Sequence, residues 1–213
     1  MRIKMEQFKE KKRFWNKVYK EKPLEHSGWY QRVPNDSLDL IIPTRIDKSA
    51  RIIDIGGGDS LLADHLLLHG FENITVLDIS SRAIERARKR LGPLSEKITW
   101  ICTDIREFHP SETYSVWHDR ACLHFLTDDE DIKIYKKVAS SALSFGGNLI
   151  LGTFSKTGPL KCSGLPVRQY DAQDLNELFS SDFESCKDYE TIHTTPTGMI
   201  QNYVFCTFKK ITI

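Results

Sequence analysis

Ten residues, Arg51 to Ser60 (RIIDIGGGDS), constrain this 213-residue chain more than any others. Arg51 to Ile55 is a β-branched run with the pattern of a short buried strand, and Ser60 to His69 reads as a helix. Between them Gly56, Gly57 and Gly58 make a tight connection, where missing Cβ atoms permit unusual dihedrals and close ligand approach. Strand, glycine turn and helix N-terminus together predict a nucleotide-type binding corner in an open α/β sheet.

The residues around the turn narrow the ligand. A dinucleotide fingerprint G-x-G-x-x-G counted from Gly56 and Gly58 needs Gly or Ala at position 61, where this chain has Leu61. No Gly-Lys-Ser/Thr follows, so the P-loop pattern fails too. Asp54, two positions before the turn, would repel a pyrophosphate. It suits a ligand with a cationic head and no phosphates, such as S-adenosylmethionine. The competing reading is a glycine turn whose acid merely caps the helix.

The rest of the chain predicts the sheet. Strands are expected at 51–55, 73–78, 97–102, 114–119 and 147–154, and helices at 60–69, 80–91, 128–143 and 171–179. Ser80 is an N-cap candidate, and Gly70 and Gly92 close the first two helices. This alternation predicts an α/β, doubly wound, mostly parallel sheet. Two last strands at 183–193 and 201–209, joined through Thr195 to Gly198, predict a C-terminal hairpin that adds an antiparallel strand. Upstream, Phe8, Phe14, Trp15, Val18 and Tyr19 suit an amphipathic helix over Glu6 to Lys20, which Pro23 stops. A second helical stretch lies between Pro34 and Pro43. Residues 1–49 therefore read as an N-terminal helical lid on a single domain whose core is 50–213.

In doubly wound sheets ligands lie across the carboxyl ends of the strands. The second strand ends in Asp78, twenty residues after Gly58, the position for a carboxylate that binds two ribose hydroxyls. The third ends at Thr103, Asp104 and Ile105, where an acid can accept from an adenine amino group while Ile105 packs on the ring. The fourth ends in Trp117, His118, Asp119 and Arg120, beyond the cofactor, where His118 or Asp119 could accept a proton. Each also has a structural reading: Asp78 as a helix cap, Asp119 paired with Arg120 or capping a turn, His118 packed on the cofactor. His124 sits in an apolar setting that favours a core role.

These motifs resemble those of class I S-adenosylmethionine-dependent methyltransferases, over roughly Ala50 to Lys210. The resemblance implies a seven-stranded sheet and a cofactor-binding set of Asp54, Gly56, Gly57, Gly58, Asp78, Ile79, Thr103, Asp104, Ile105 and His118. In that family the glycine motif approaches the methionine part, the second-strand acid holds the ribose and the third-strand acid contacts adenine. Ser60 stands where the family has a third glycine. No N-P-P-Y-type sequence follows the fourth strand, which argues against the amino- or glutamine-amide methylation that motif serves. Trp15, Tyr19, Trp29 to Gln31, Trp117 to Arg120 and Cys162 to Pro166 resemble a bacterial-type subgroup.

The implied activity is methyl transfer to a small molecule or a protein side chain. Alternatives are a non-catalytic cofactor-binding sensor or scaffold and, disfavoured by Asp54 and Leu61, a nicotinamide-dependent oxidoreductase. Alignment and desolvation do most of the work in such a transfer, so the lack of an obvious triad is no objection. Candidate catalytic residues are His118 and Asp119. Trp15, Tyr19, Trp29 and Tyr30 are candidates to close over the sulfonium, although taken singly each reads more readily as hydrophobic glue between lid and sheet. Residues 155–166 form a shaped loop, followed by Arg168 and Tyr170, candidates for recognising a substrate carboxylate or phosphate, with Arg168 reading equally as a surface salt bridge.

Composition excludes other classes. Lys+Arg 30 against Asp+Glu 29 leaves a net charge of +1, so no global field points to nucleic acid. The basic run Lys9, Lys11, Lys12 and Arg13 reads as a solvated helix face. The five cysteines are scattered with no C-x-x-C pair, which predicts neither a zinc site nor disulfides but small buried thiols in a reducing compartment. No apolar run approaches membrane-spanning length. A cytoplasmic protein that binds no metal is expected.

Overall fold

The computed structural model describes residues 2–212; the side chains of residues 2–5, 7 and 8, including the expected apolar Phe8, lie outside the described residues. Helix α1 (Arg2–Glu21) and the short α2 (Asn35–Ile41) precede the sheet. The alternation then runs β1 (Arg51–Ile55), α3 (Leu62–Leu68), β2 (Asn73–Asp78), α4 (Ser81–Leu91) and β3 (Ile98–Cys102). It continues through β4 (Tyr114–Arg120), α5 (Asp129–Ala142) and β5 (Leu143–Phe154). A small hairpin of β6 (Lys161–Cys162) and β7 (Leu165–Pro166) leads to α6 (Ala172–Phe179), and β8 (Phe183–Thr194) and β9 (Ile200–Lys210) end the chain.

Seven strands form one sheet in the order β3-β2-β1-β4-β5-β9-β8. The first five are parallel, and β9 enters antiparallel between β5 and β8. Strand β1 lies inside the sheet and is covered on both faces, which is why Ile52, Ile53 and Ile55 are all fully buried. One core, with Ile53, Trp117, Tyr135, Leu149 and Phe179, lies between the sheet and α5 and α6. The other, with Ile41, Ile52, Leu66, Val116, Phe154 and Phe205, lies on the face of α2 and α3.

Local chemistry sets the boundaries. The Ser80 hydroxyl accepts from the Ala83 N–H at 3.2 Å, and Asp128 and Asp171 cap α5 and α6 in the same way. Strand β5 starts four residues earlier than the periodicity predicts. Leu143, expected as the last residue of the preceding helix, already pairs with Tyr114 before an irregularity between Tyr114 and Val116 shifts the register. The β6–β7 hairpin lies within the loop expected over 155–166 and is too short to carry a periodic signal. The final hairpin is as expected, though its second strand, rather than its first, joins the parallel sheet.

Candidate functional site

Glycine at the turn is required by the backbone. Gly56 and Gly58 have φ of +66° and +54°, in the left-handed region. A Cβ at Gly56 would lie 2.8 Å from the Cys122 Cβ, and one at Gly58 would run into the Tyr19 hydroxyl. The turn is held from α4: Arg90 donates to the Asp59 and Ser60 carbonyls at 2.7 and 2.8 Å. Arg86 pairs with Asp59 at 2.9 Å and donates to the Tyr19 and Lys22 carbonyls at the end of α1. Nothing in the motif reading singled out Arg86 and Arg90, although their four-residue spacing on α4 puts them on one helix face.

The turn opens into a cavity of about 460 Å³ across the carboxyl ends of β1 to β4. Asp54, Gly56, Gly57, Asp78, Ile79, Thr103, Asp104, Ile105 and His118 line it, as do Trp15, Tyr19, Trp29 and Tyr30 from the N-terminal segment. This volume is within the usual range of ligand pockets, about 300–1,000 Å³.

The acids are held in place by the protein. Asp78 accepts from the Ser80 N–H at 2.7 Å. Burial lifts its carboxyl to about 7, opposed by that hydrogen bond and reinforced by Asp59 and Asp54. Asp104 is also buried, but hydrogen bonds and charge from Arg106 outweigh the burial and hold its carboxyl below the usual value. Both its oxygens receive Arg106 nitrogens, at 2.9 and 2.6 Å. Arg106 reaches on to Asp131 at 2.6 Å.

His118 faces Asp54 across the β1–β4 register. Its Nδ1 is 2.7 Å from Asp54 Oδ1 and its Nε2 is 2.8 Å from the Ser37 hydroxyl on α2. All three side chains are buried. Both ring nitrogens are thus engaged within the protein, and Ser37, absent from the sequence-derived candidates, is the link from α2 to the sheet. Asp119 turns the other way because successive strand residues alternate faces. Its carboxylate accepts from the Cys122 N–H at 2.8 Å and the Tyr135 hydroxyl at 2.6 Å, and burial raises it to about 6 despite them. It does not line the cavity, and it caps the turn after β4 instead of pairing with Arg120.

The aromatic candidates are brought together. Tyr19 and Trp29 have ring centroids 5.5 Å apart, and Trp15 lies 6.3 Å from Trp29 and 5.0 Å from Phe125. Arg168 is elsewhere: it pairs with Asp129 at 2.5 Å on an exposed surface and does not line the cavity. Tyr170 is buried, with its ring under Arg168. His124 is fully buried and pushed down to about 3 by burial and by Arg120, as suits a neutral core imidazole. The cysteines depart from expectation, since only Cys206 is buried, Cys102 and Cys186 are exposed, and Cys122 and Cys162 line the cavity; all are free. Among the described residues no cluster of His, Cys, Asp or Glu could hold a metal ion, and no helix is long and apolar enough to cross a membrane.

Comparison with known proteins agrees with this architecture. A family described as "Methyltransferase domain" matches residues 52–147, from the glycine strand to the start of β5. Nodulation protein S of Rhizobium tropici is 24% identical over 104 residues, which is 49% of this chain and 43% of that protein, so the chain spans less than half the length of this curated relative. A structure from work on converting a disulfide bond into a thioacetal group during echinomycin biosynthesis superposes with TM-score 0.75 at 18% identity, covering 94% of this chain and 93% of that one. The N-methyltransferase NodS of Bradyrhizobium japonicum, in complex with S-adenosyl-L-homocysteine, superposes with TM-score 0.61 at 17% identity, covering 83% and 82%. At such identities the structural likeness is one of fold. With its strand order, its glycine turn and the methyltransferase domain matched over residues 52–147, this chain has the Rossmann-like fold of the class I S-adenosylmethionine-dependent methyltransferases.

Proposed function

We propose that this chain transfers the methyl group of S-adenosylmethionine to an acceptor, a small molecule or a protein side chain. The observation that carries the reading is the row of glycines and acids at the carboxyl ends of β1, β2 and β3, all facing one cavity. The residues fit the cofactor: a Cβ-free turn for the methionine part, buried Asp78 for ribose hydroxyls, and Ile79, Thr103, Asp104 and Ile105 around adenine. When bound there, S-adenosylmethionine supplies an already activated methyl on a sulfonium.

The protein's share is alignment and exclusion of water. Trp15, Tyr19, Trp29 and Tyr30 act as a lid, offering ring faces to a cation and covering the turn. His118, bonded on both sides, serves as a positioning residue that fixes Asp54 and anchors α2 through Ser37. An acceptor that is already anionic, or a thiol of low pKa, therefore suits the site better than one needing a strong base.

Titration calorimetry with S-adenosylhomocysteine and NAD tests the cofactor, and tracing a labelled methyl group from S-adenosylmethionine into cell-extract fractions tests turnover. Heat with the sulfur ligand, none with NAD, and label in one fraction are expected. No heat with the sulfur ligand would sink the reading, and binding without any transfer would turn it to a sensor.

A further inference from the structure

One cation that lines the cavity has an unused edge. Arg120 ends β4 on the same face as Asp54 and His118, level with Gly152 of β5. Its side chain lies over the Tyr203 ring of β9 at 4.8 Å. Strands are spaced about 4.8 Å apart, so β9 is roughly 14 Å from β1 in the plane of the sheet. Nη1 donates to the Trp29 carbonyl at 3.2 Å. Nε and Nη2 are buried and have no partner, and no described acid forms an ion pair with Arg120.

A buried guanidinium edge left unsatisfied is costly, so the pattern asks for a ligand. The Nε and Nη2 hydrogens point in parallel, the side of the fork that receives both oxygens of a carboxylate. Among the described residues no anionic side chain takes that role. The Cys162 thiol is pushed up to about 11 by burial, and burial and Arg120 keep His124 and His193 neutral. The other cation lining the cavity, Lys11, is on the adenine side, 4.0 Å from Asp131. One positive charge matches a singly charged carboxylate better than a phosphate dianion. Gln201 adds a buried, unpartnered Oε1 on the same wall, an acceptor for an N–H or O–H of the same ligand.

We propose that Arg120 determines acceptor specificity: the methyl acceptor is a small molecule carrying a carboxylate, which pairs with the Nε/Nη2 edge while its apolar body lies among the aromatic rings. This rests on the methyltransferase reading given above. The cofactor brings a carboxylate of its own, so the affinity for cofactor product and the affinity for a second carboxylate are read separately.

The test saturates the protein with S-adenosylhomocysteine and titrates it with benzoate and hexanoate, their amides, and phenyl phosphate, by calorimetry and by following the Arg120 Nε–H resonance. At least one carboxylate should bind ten times or more tighter than its amide and shift that resonance. Arg120→Gln should remove this preference while changing S-adenosylhomocysteine affinity less than twofold, which also shows that the variant folds; Arg120→Lys should keep part of it. Three outcomes overturn the proposal: carboxylates that bind no better than their amides or not at all, phenyl phosphate binding tighter than benzoate, or a tenfold loss of cofactor-product affinity in Arg120→Gln. If the unaltered protein fails to bind S-adenosylhomocysteine, the methyltransferase reading fails first, and carboxylate binding to Arg120 is then read in its absence.

Discussion

The two ends of the cavity are finished to different degrees. On the side of β1 to β3, Asp78, Asp104 and the Asp54–His118–Ser37 chain are each held by hydrogen bonds from the protein. On the side of β4, β5 and β9, Arg120 and Gln201 keep buried polar atoms without partners. A site that takes one invariant ligand gains from being built in advance, because ordering costs are met during folding. A site that discriminates among ligands must leave its recognition groups to be completed by the right one, and a wrong ligand then leaves them unpaired.

The comparison breaks most visibly at His118. Each buried polar group left without its hydrogen-bond partner costs about 1–3 kcal/mol, and His118 partners both Asp54 and Ser37, about 2–6 kcal/mol together. His118→Ala should lower urea-unfolding stability by that amount and the Tm by about 10 °C. A loss under about 1 kcal/mol would mean that the cofactor end is not organised by this pair.

Asp78 comes next, and its two effects have opposite signs. Losing two hydrogen bonds to a charged group should weaken S-adenosylhomocysteine binding by about 100-fold in Asp78→Asn. The same variant should be more stable without ligand above pH 7. The folded-state value of about 7 lies above the ordinary 3.8, so the fold favours the protonated acid. That stabilising protonation is complete below about pH 4 and lost as pH rises through about 7. Above it the ionised side chain is a penalty of at most about 4 kcal/mol, which Asn does not incur. Thermal melts at pH 4 and pH 8 measure the difference, and equal shifts at both would refute the buried-acid account.

A smaller effect follows for the unaltered protein. If ribose hydroxyls donate to ionised Asp78, affinity for S-adenosylhomocysteine should be flat above about pH 7.5 and fall up to tenfold per unit below 7. A pH-independent affinity from 5.5 to 8 would detach Asp78 from the ligand. The least change belongs to Arg168→Ala, whose exposed ion pair with Asp129 should contribute under about 0.5 kcal/mol. Benzoate binding that disappeared in this variant would move the recognition cation from Arg120 to the surface.

Much of the acid-lined end was legible in the sequence because its signals are local. Strand periodicity located β1, β2 and β3, and the topology of a doubly wound sheet turned their last residues into a row. The contacts that brace it, and the far wall, depend on residues distant in sequence. Ser37 meets His118 from 81 positions away, and Arg86 reaches Tyr19 from 67. Asp119 and Arg120 look like a neighbouring ion pair in the sequence. The two-residue period of β4 sends one to α5 and the other to the cavity. Arg168 carries the right chemistry for an anion, but its position after β7 turns it towards Asp129.

The insertion of β9 between β5 and β8 has a consequence for how the chain is made. Synthesis proceeds from the N-terminus, so β1 to β4 emerge while the sheet still lacks the strand that carries Gln201 and Tyr203. Until residues 200–210 appear, the backbone of β5 is a bare edge, open to pairing with any other strand. A nascent chain stalled before Ile200 therefore exposes that edge with its cofactor end already encoded. The wall that meets the acceptor is the last part of the sheet to be translated.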